Sequence, residues 1–298
     1  MKRTLLLLFT SASFMSFSQK THYTYYFNDP TKLTNKKVYL DVLTLGAGGV
    51  GAGVHGYYQP IKNITINGLF RYSYYDFIKS ADKISTNSVK SSFHGEANAQ
   101  FQFASHVAKK ERKTAIILAG SATSKTTIKV PAKKYKTYNV RGGLMMYRNA
   151  IAGTKDHPFR SNGNDFYVAD KNLITNETGS CFFAGYAGRR VKKVGIDADG
   201  YGKRRAFLSR VFFIDAIVGG TVLSDVQYNN LTVDVKDTKR SNIGYRIGWE
   251  WEENGTLVRF EMGNRPGFNG TAIPLNYVML NFGFRVYGKE KFIFTDTK

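Results

Sequence analysis

The chain has 298 residues and a formal net charge of +21, with 43 Lys and Arg against 22 Asp and Glu. It carries 22 Phe, 19 Tyr and 29 Gly but only 6 Pro, and its one cysteine, Cys181, excludes an internal disulfide. Beyond the N-terminal segment no run reaches the roughly 18 consecutive apolar residues of a membrane helix, and the aromatic- and glycine-rich composition points to a sheet protein.

In chain order, Lys2 and Arg3 precede a mostly apolar run from Leu5 to Phe17. Ser16 and Ser18 place small residues at a cleavage site, so residues 1–18 read as an export signal with Gln19 as the first mature residue. Residues 19–35 read as a short tail. Next comes Thr44–Pro60, "TLGAGGVGAGVHGYYQP", in which Gly46, Gly48 and Gly51 match the G-x-G-x-x-G spacing of a dinucleotide site. Such a site needs a helix beginning at the glycines. Here Gly53, Gly56 and Pro60 follow, and Val54, Gly56 and Tyr58 alternate with His55, Tyr57 and Gln59. The stretch therefore reads as a hairpin tip between strands near 37–46 and 49–59, and the dinucleotide reading is excluded.

From there the period is two. In "ITINGLFRYSYY" Ile64, Ile66, Phe70, Tyr72 and Tyr74 alternate with Thr65, Asn67, Arg71 and Ser73. In "FHGEANAQFQF" the alternation sets Phe93, Ala97, Ala99, Phe101 and Phe103 against His94, Glu96, Asn98, Gln100 and Gln102. Further strands are predicted near 113–128, 135–148, 179–191 and 206–220. "DADGYG" at Asp197–Gly202 lacks the remaining ligands of a calcium loop and reads as a surface turn. "NIGYRIGWEWE", "LVRFEM" and "VMLNFGFRV" complete the set, near 241–252, 255–263 and 276–288. Several stretches run about 10 residues, longer than the usual 5–6 of a soluble sandwich strand and enough to cross a bilayer at a tilt. Eleven candidates imply an even number, so the expectation is an all-β, antiparallel transmembrane barrel of about 12 strands, with 10 as the alternative. The missing strand is sought in 164–175 or 226–236. The barrel is expected over 36–290, with a C-terminal tail at 291–298.

The candidate functional residues lie on the polar faces. Turned inward, these supply Arg71, Arg141, Arg246, Arg259 and Arg285 against Asp41, Glu96, Asp215, Glu250 and Glu261, five of each sign. A wide anion channel would carry excess cations on its inner wall, whereas a narrow barrel must pair its buried charges. The even count predicts a narrow barrel with a charge-paired lumen. The basic excess sits in connections: "AKKERK" 108–113, "PAKKYK" 131–136, "RRVKK" 189–193, "GKRR" 202–205, "KDTKR" 236–240 and "KEK" 289–291. Such loops suit phosphate-bearing lipid headgroups or an acidic partner, or are simply soluble. No Ser–His–acid grouping stands out. His94 and Glu96 share a face and read as a hydrogen-bonded lumen pair, so no catalytic, metal or cofactor site is assigned and no nucleic-acid partner is expected.

The signal at Met1–Ser18, the long dyad-patterned strands, the aromatic ends at Tyr72, Tyr74, Trp249, Trp251 and Tyr287, and the aromatic last strand Tyr277–Tyr287 together resemble the outer-membrane β-barrel proteins of Gram-negative bacteria. The resemblance implies a cell outer-membrane location, contact with outer-membrane lipid and lipopolysaccharide, and a periplasmic tail at 19–35. It also implies a periplasmic turn at Glu253–Gly255, with 149–178 and 265–276 outside the cell. Such barrels usually end on an aromatic residue, whereas this chain continues through Phe292 and Phe294 to Lys298. The expected role is structural or interactive, with an envelope protein as a partner. An anion-preferring porin and an outer-membrane lipid-modifying enzyme are the alternatives.

Overall fold

The computed structural model describes residues 22–46, 49–76, 90–120, 125–168, 173–268 and 277–294. The expected export signal, 1–18, lies outside the described residues, as does the hairpin tip at 47–48. In chain order the strands are β1 (Tyr23–Phe27), β2 (Lys36–Gly46), β3 (Gly49–Ile61), β4 (Ile64–Asp76), β5 (Phe93–Val107), β6 (Arg112–Gly120), β7 (Lys125–Ala132) and β8 (Lys134–Gly153). They continue with β9 (Phe159–Ser161), β10 (Asn164–Phe166), β11 (Leu173–Ala198), β12 (Gly202–Leu223), β13 (Val226–Tyr228), β14 (Leu231–Val233), β15 (Ile243–Glu253), β16 (Thr256–Asn264) and β17 (Tyr277–Tyr287).

Ten strands close a barrel in the order β2-β3-β4-β5-β8-β11-β12-β15-β16-β17, with β17 pairing back on β2. Every pairing is antiparallel. The wall thus has ten strands, the alternative count, and not twelve. The candidate near 113–128 accounts for much of the difference, because it is a separate hairpin, β6–β7, outside the wall. The two regions searched for a twelfth strand also stay outside it or merge with it. Residues 226–236 hold the small β13–β14 hairpin, and 164–175 divides between β10 and the start of β11.

Alternation sorts the wall. Ile66, Phe101, Leu144, Phe182, Val218 and Val286 stand exposed on the outside, a belt that favours hydrocarbon over water. Their neighbours in sequence turn inward; some, such as Asn67, are polar, while Met145, Cys181, Phe183 and Ile217 form an apolar cluster. One end of the barrel carries the described terminal segments, 22–35 and 288–294, and the short turns at 62–63, 199–201 and 254–255, and will be called the near end. It also carries the connection 108–133 with β6 and β7, while the far end carries the connections that follow β8, β12 and β16.

At the near end the wall continues past its neighbours on one side. β12 meets β15 only from Leu208 onward, and β11 meets β8 only up to Lys192. Beyond that point β1 takes over the free edge of β11, with Tyr25 opposite Ile196, so part of the expected tail is a strand. The outward side of this extension would present Val194, Ile196, Ala198 and Ala206 to water. The β6–β7 hairpin covers them with Ile116, Leu118, Val130 and Ala132. Its own alternation follows from this: one face packs on the extension and the other meets solvent.

Both termini also cross the barrel mouth. Leu33 and Phe292 pack onto Tyr135, Val191 and Phe207 on the lumen side. Asn28 Nδ2 donates to the Ile293 carbonyl at 3.2 Å, and Asn28 Oδ1 accepts from the Ile293 amide at 2.8 Å. Glu290, 4% exposed, accepts from the Thr34 amide at 3.1 Å and lies 2.7 Å from Lys37 Nζ. Phe292 and Phe294 therefore do not close the last strand; they lie in this crossing segment. At the far end, Phe159, Val226, Val235 and Phe268 from separate connections form one apolar cluster with Ile151, Leu173 and Leu223 at the strand ends.

Candidate functional site

The middle of the lumen is filled by arginines and carboxylates from opposite sides of the wall. Arg246 on β15 has no solvent exposure. Its Nε donates to Asp215 Oδ2 at 2.7 Å and its Nη1 to Glu96 Oε2 at 2.6 Å, with Glu261 Oε2 3.5 Å away. Arg141 donates to Glu96 Oε1 at 3.0 Å, and its Nε lies 3.3 Å from Asp215 Oδ1. Arg259 Nη1 donates to Glu250 Oε1 at 3.0 Å, and its Nε donates to Glu261. Arg71 lies 3.6 Å from Asp41 and 3.9 Å from Glu261.

Register explains part of this assembly. Asp215 stands directly opposite Arg246 on β12 and β15, and Glu250 directly opposite Arg259 on β15 and β16. These are cross-strand pairs, held at neighbouring Cβ distance by the ladder itself. The bond from Arg246 to Glu96 is different, since β5 and β15 are not neighbours, and it crosses the lumen. Aromatic rings fill the rest. The guanidinium of Arg246 lies 4.4 Å from the centre of the Phe183 ring, and that of Arg141 lies 4.2 Å from Phe213. Such faces attract cations, the more so where water is excluded.

Glycines make the room. Gly185 lies between Arg141 of β8 and Asp215 of β12, paired to both. A Cβ there would run into Asp215 and the Ile214 carbonyl. Gly53 repeats the arrangement between Asp41 of β2 and Arg71 of β4. This is what the glycine stretch serves: β2 and β3 pair with Gly46 opposite Gly49, and Gly53 leaves space for an ion pair.

The structure brings together Asp41, Arg71, Glu96, Arg141, Asp215, Arg246, Glu250, Arg259 and Glu261 in this one network. Arg285 lies apart from it. Its Nη1 donates to Glu252 at 3.0 Å near the barrel mouth, and Lys37 reaches the same carboxylate at 3.0 Å. Alternation places Glu252 on the polar face of its strand with Arg246 and Glu250, but its partners Lys37 and Arg285 come from other strands, and Glu290 lies beyond the strand ends, where alternation stops informing. Tyr57, which donates to Glu250 at 2.6 Å, was read only as part of a strand. His94 Nε2 stands 3.8 Å from Glu96, and a ring nitrogen of His94 lies 3.2 Å from Arg265 Nη2. The pair therefore borders the network. No group of three or more metal-ligating side chains occurs among the described residues.

Burial pushes the Glu290 carboxyl up, but the Lys37 ammonium beside it more than offsets this and holds it below the usual carboxylate range. Beneath the network, toward the near end, lies a polar cavity of about 220 Å³ bordered by Asn67, Gln100, Asn139 and Glu250 and by the N-terminal segment at Thr34.

No family model matches the chain, and no curated protein matches it. Among solved structures it is similar to a Rh. blastica porin carrying five substitutions, at 9% identity and a TM-score of 0.18 over 86% of this chain and 99% of that one. It is also similar to a loop-deletion mutant of OmpT, an outer membrane protein of Vibrio cholerae, at 10% identity and a TM-score of 0.13 over 89% of this chain and 99% of that one. The fold argument rests instead on the strand pairing and on the two faces of the wall. By its closed wall of ten antiparallel strands, its apolar outer belt and the ion pairs inside it, the chain is a β-barrel with the two-faced wall of a membrane-spanning barrel.

Proposed function

We propose that this chain is an outer-membrane barrel that acts as a closed scaffold in the cell envelope, with its near end toward the periplasm, rather than as a pore or an enzyme. One observation carries the reading: Arg246, fully buried, bonds to Glu96 across the lumen, so side chains occupy the path that a solute would take. Moving them apart would strand buried charges, a cost of several kcal/mol per ion in order of magnitude. The crossing termini at the near end and the apolar cluster at the far end add two further layers. The outer belt supports contact with membrane lipid, and the basic connections support an anionic partner. His94 and Glu96 are assigned to the lumen network, not to catalysis.

The test is conductance of the refolded chain in planar bilayers, with a heat-shifted gel band as proof of folding. A folded and silent barrel is the expected result. Steady openings would overturn it and favour the porin alternative, for which the 220 Å³ polar cavity would be the vestibule.

A further inference from the structure

The six basic runs are scattered along the sequence, yet five of them meet at the near end. Runs 108–113 and 131–136 flank the β6–β7 hairpin, 189–193 and 202–205 form the β11–β12 extension, and 289–291 lies in the segment that crosses the mouth. Between the extension and that segment lies a cleft of about 550 Å³. Lys203, Arg205, Arg285 and Lys289 line it, together with Phe292 and Phe294. Two of its acceptors are already committed. Glu290 is held by Lys37, and Glu252, beside the cleft, is held by Lys37 and Arg285. Lys203, Arg205 and Lys289 form no ion pair among the described residues, although Asp197 stands opposite Lys203 on the β11–β12 ladder. Lys203 Nζ instead lies 5.7 Å from the Phe294 ring centre, and the Arg205 guanidinium lies 5.6 Å from that of Phe292.

We propose that this cleft is a binding site for phosphate groups. Lys203, Arg204, Arg205, Arg285 and Lys289 face Glu290 as the one carboxylate among the cleft's lining residues, and cations in such excess repel each other less when an anion joins them. Arg and Lys together offer the fork and the point charge that a phosphate takes up through several charge-assisted hydrogen bonds. The Phe292 and Phe294 rings, which line the same cleft, hold two of these cations beside it. The site also adjoins the membrane belt. Exposed Phe284, Val286 and Tyr287 lead along β17 directly into the cleft wall at Lys289. A lipid headgroup would arrive at this height, and a soluble phosphate compound would reach the same donors from the aqueous side.

The site deepens the closed-scaffold reading and fails independently of it, since conductance reports the lumen and anion binding reports the cleft. The experiment titrates the refolded full-length chain, in zwitterionic micelles, with pyrophosphate and separately with short-chain phosphatidylglycerol, by calorimetry. Lys203→Gln/Arg205→Gln is compared with Lys236→Gln/Lys239→Gln at the far end. The expected result is binding of at least one probe, weakened about tenfold or more by the cleft pair and less than about twofold by the far pair. Pyrophosphate binding assigns a soluble source, and binding of the phospholipid alone assigns the headgroup. Absence of binding to either probe, or equal weakening by both pairs, overturns the site. Should the cleft pair fail to show the heat-shifted band, Lys289→Gln, on an exposed side chain, takes its place.

Discussion

Arg246 has three carboxylates around it and no solvent exposure. Replacing it by Met, close to it in length but uncharged, leaves Glu96, Asp215 and Glu261 facing one another. Removing one partner of a buried ion pair typically costs about 3–5 kcal/mol. Arg246→Met is therefore expected to lower the urea midpoint of the refolded barrel sharply, or to abolish the heat-shifted band. The double variant Arg246→Met/Glu96→Gln should recover part of the loss, because it removes charge from both sides, and a cycle that is strictly additive would speak against direct coupling. At Gly185, substitution by Val should destabilise the barrel by about 1–3 kcal/mol, since the wall positions beside it hold Arg141 and Asp215. Glu290 gives a pH dependence. Its folded carboxyl titrates below the ordinary value of 4.5, so its contribution is complete above that value and fades as the pH falls through the depressed folded one. The protection factors of residues 288–294, hydrogen-exchange rates corrected for the intrinsic pH dependence, should accordingly stay high at pH 6 and fall as the pH drops below the ordinary carboxylate value, and Glu290→Gln should lower them already at pH 6.

At the scale of elements, the β6–β7 hairpin and the β11–β12 extension form one unit. The hairpin makes no ladder with the wall, yet its Ile116 and Leu118 cover an apolar face that the extension cannot leave bare. Replacing 109–132 with a short Gly-Ser turn should leave the heat-shifted band in place and increase binding of a hydrophobic dye; loss of the band would show that the hairpin is needed for closure. This element also shows what the sequence could and could not reveal. Dyad alternation reports that a strand has two different environments, and it located the strands of the wall. It does not say whether the apolar side meets lipid or protein. Thr114–Leu118 and Ile128–Ala132 alternate as the wall strands do, so 113–128 reads as one spanning strand and makes eleven candidates, which the even-number rule then rounds to twelve. For the same reason β11 was expected only over 179–191, although it runs from Leu173 to Ala198. Its ends are covered by protein on both sides, Leu173 by the far apolar cluster and Val194 and Ile196 by the hairpin, so the two faces no longer contrast. The inward residues were legible one by one from their strands. Their partners were not, because the bond from Arg246 to Glu96 depends on how ten strands close, and Arg285 joins Glu252 through geometry at the mouth.

For the molecule as a whole, the wall is uneven. β8, β11 and β12 stand tall, while β15, β16, β17 and β2 are about half as long. The ladder between β11 and β12 is continuous from Glu177–Leu223 to Ala198–Gly202. The ladder between β17 and β2, where the end of the chain meets its beginning, is interrupted twice within a short run, after Phe282 and after Arg285. Under thermal or mechanical load a cylinder built this way should unzip along its short, irregular side and leave the tall hairpin standing. The termini bridge the mouth beside that weak line. Asn28 grips Ile293, and Glu290 grips Thr34 and Lys37. They form a clasp, and a clasp of this kind fastens only after both ends of the chain are in place, so an incomplete chain would carry the seam without its lock.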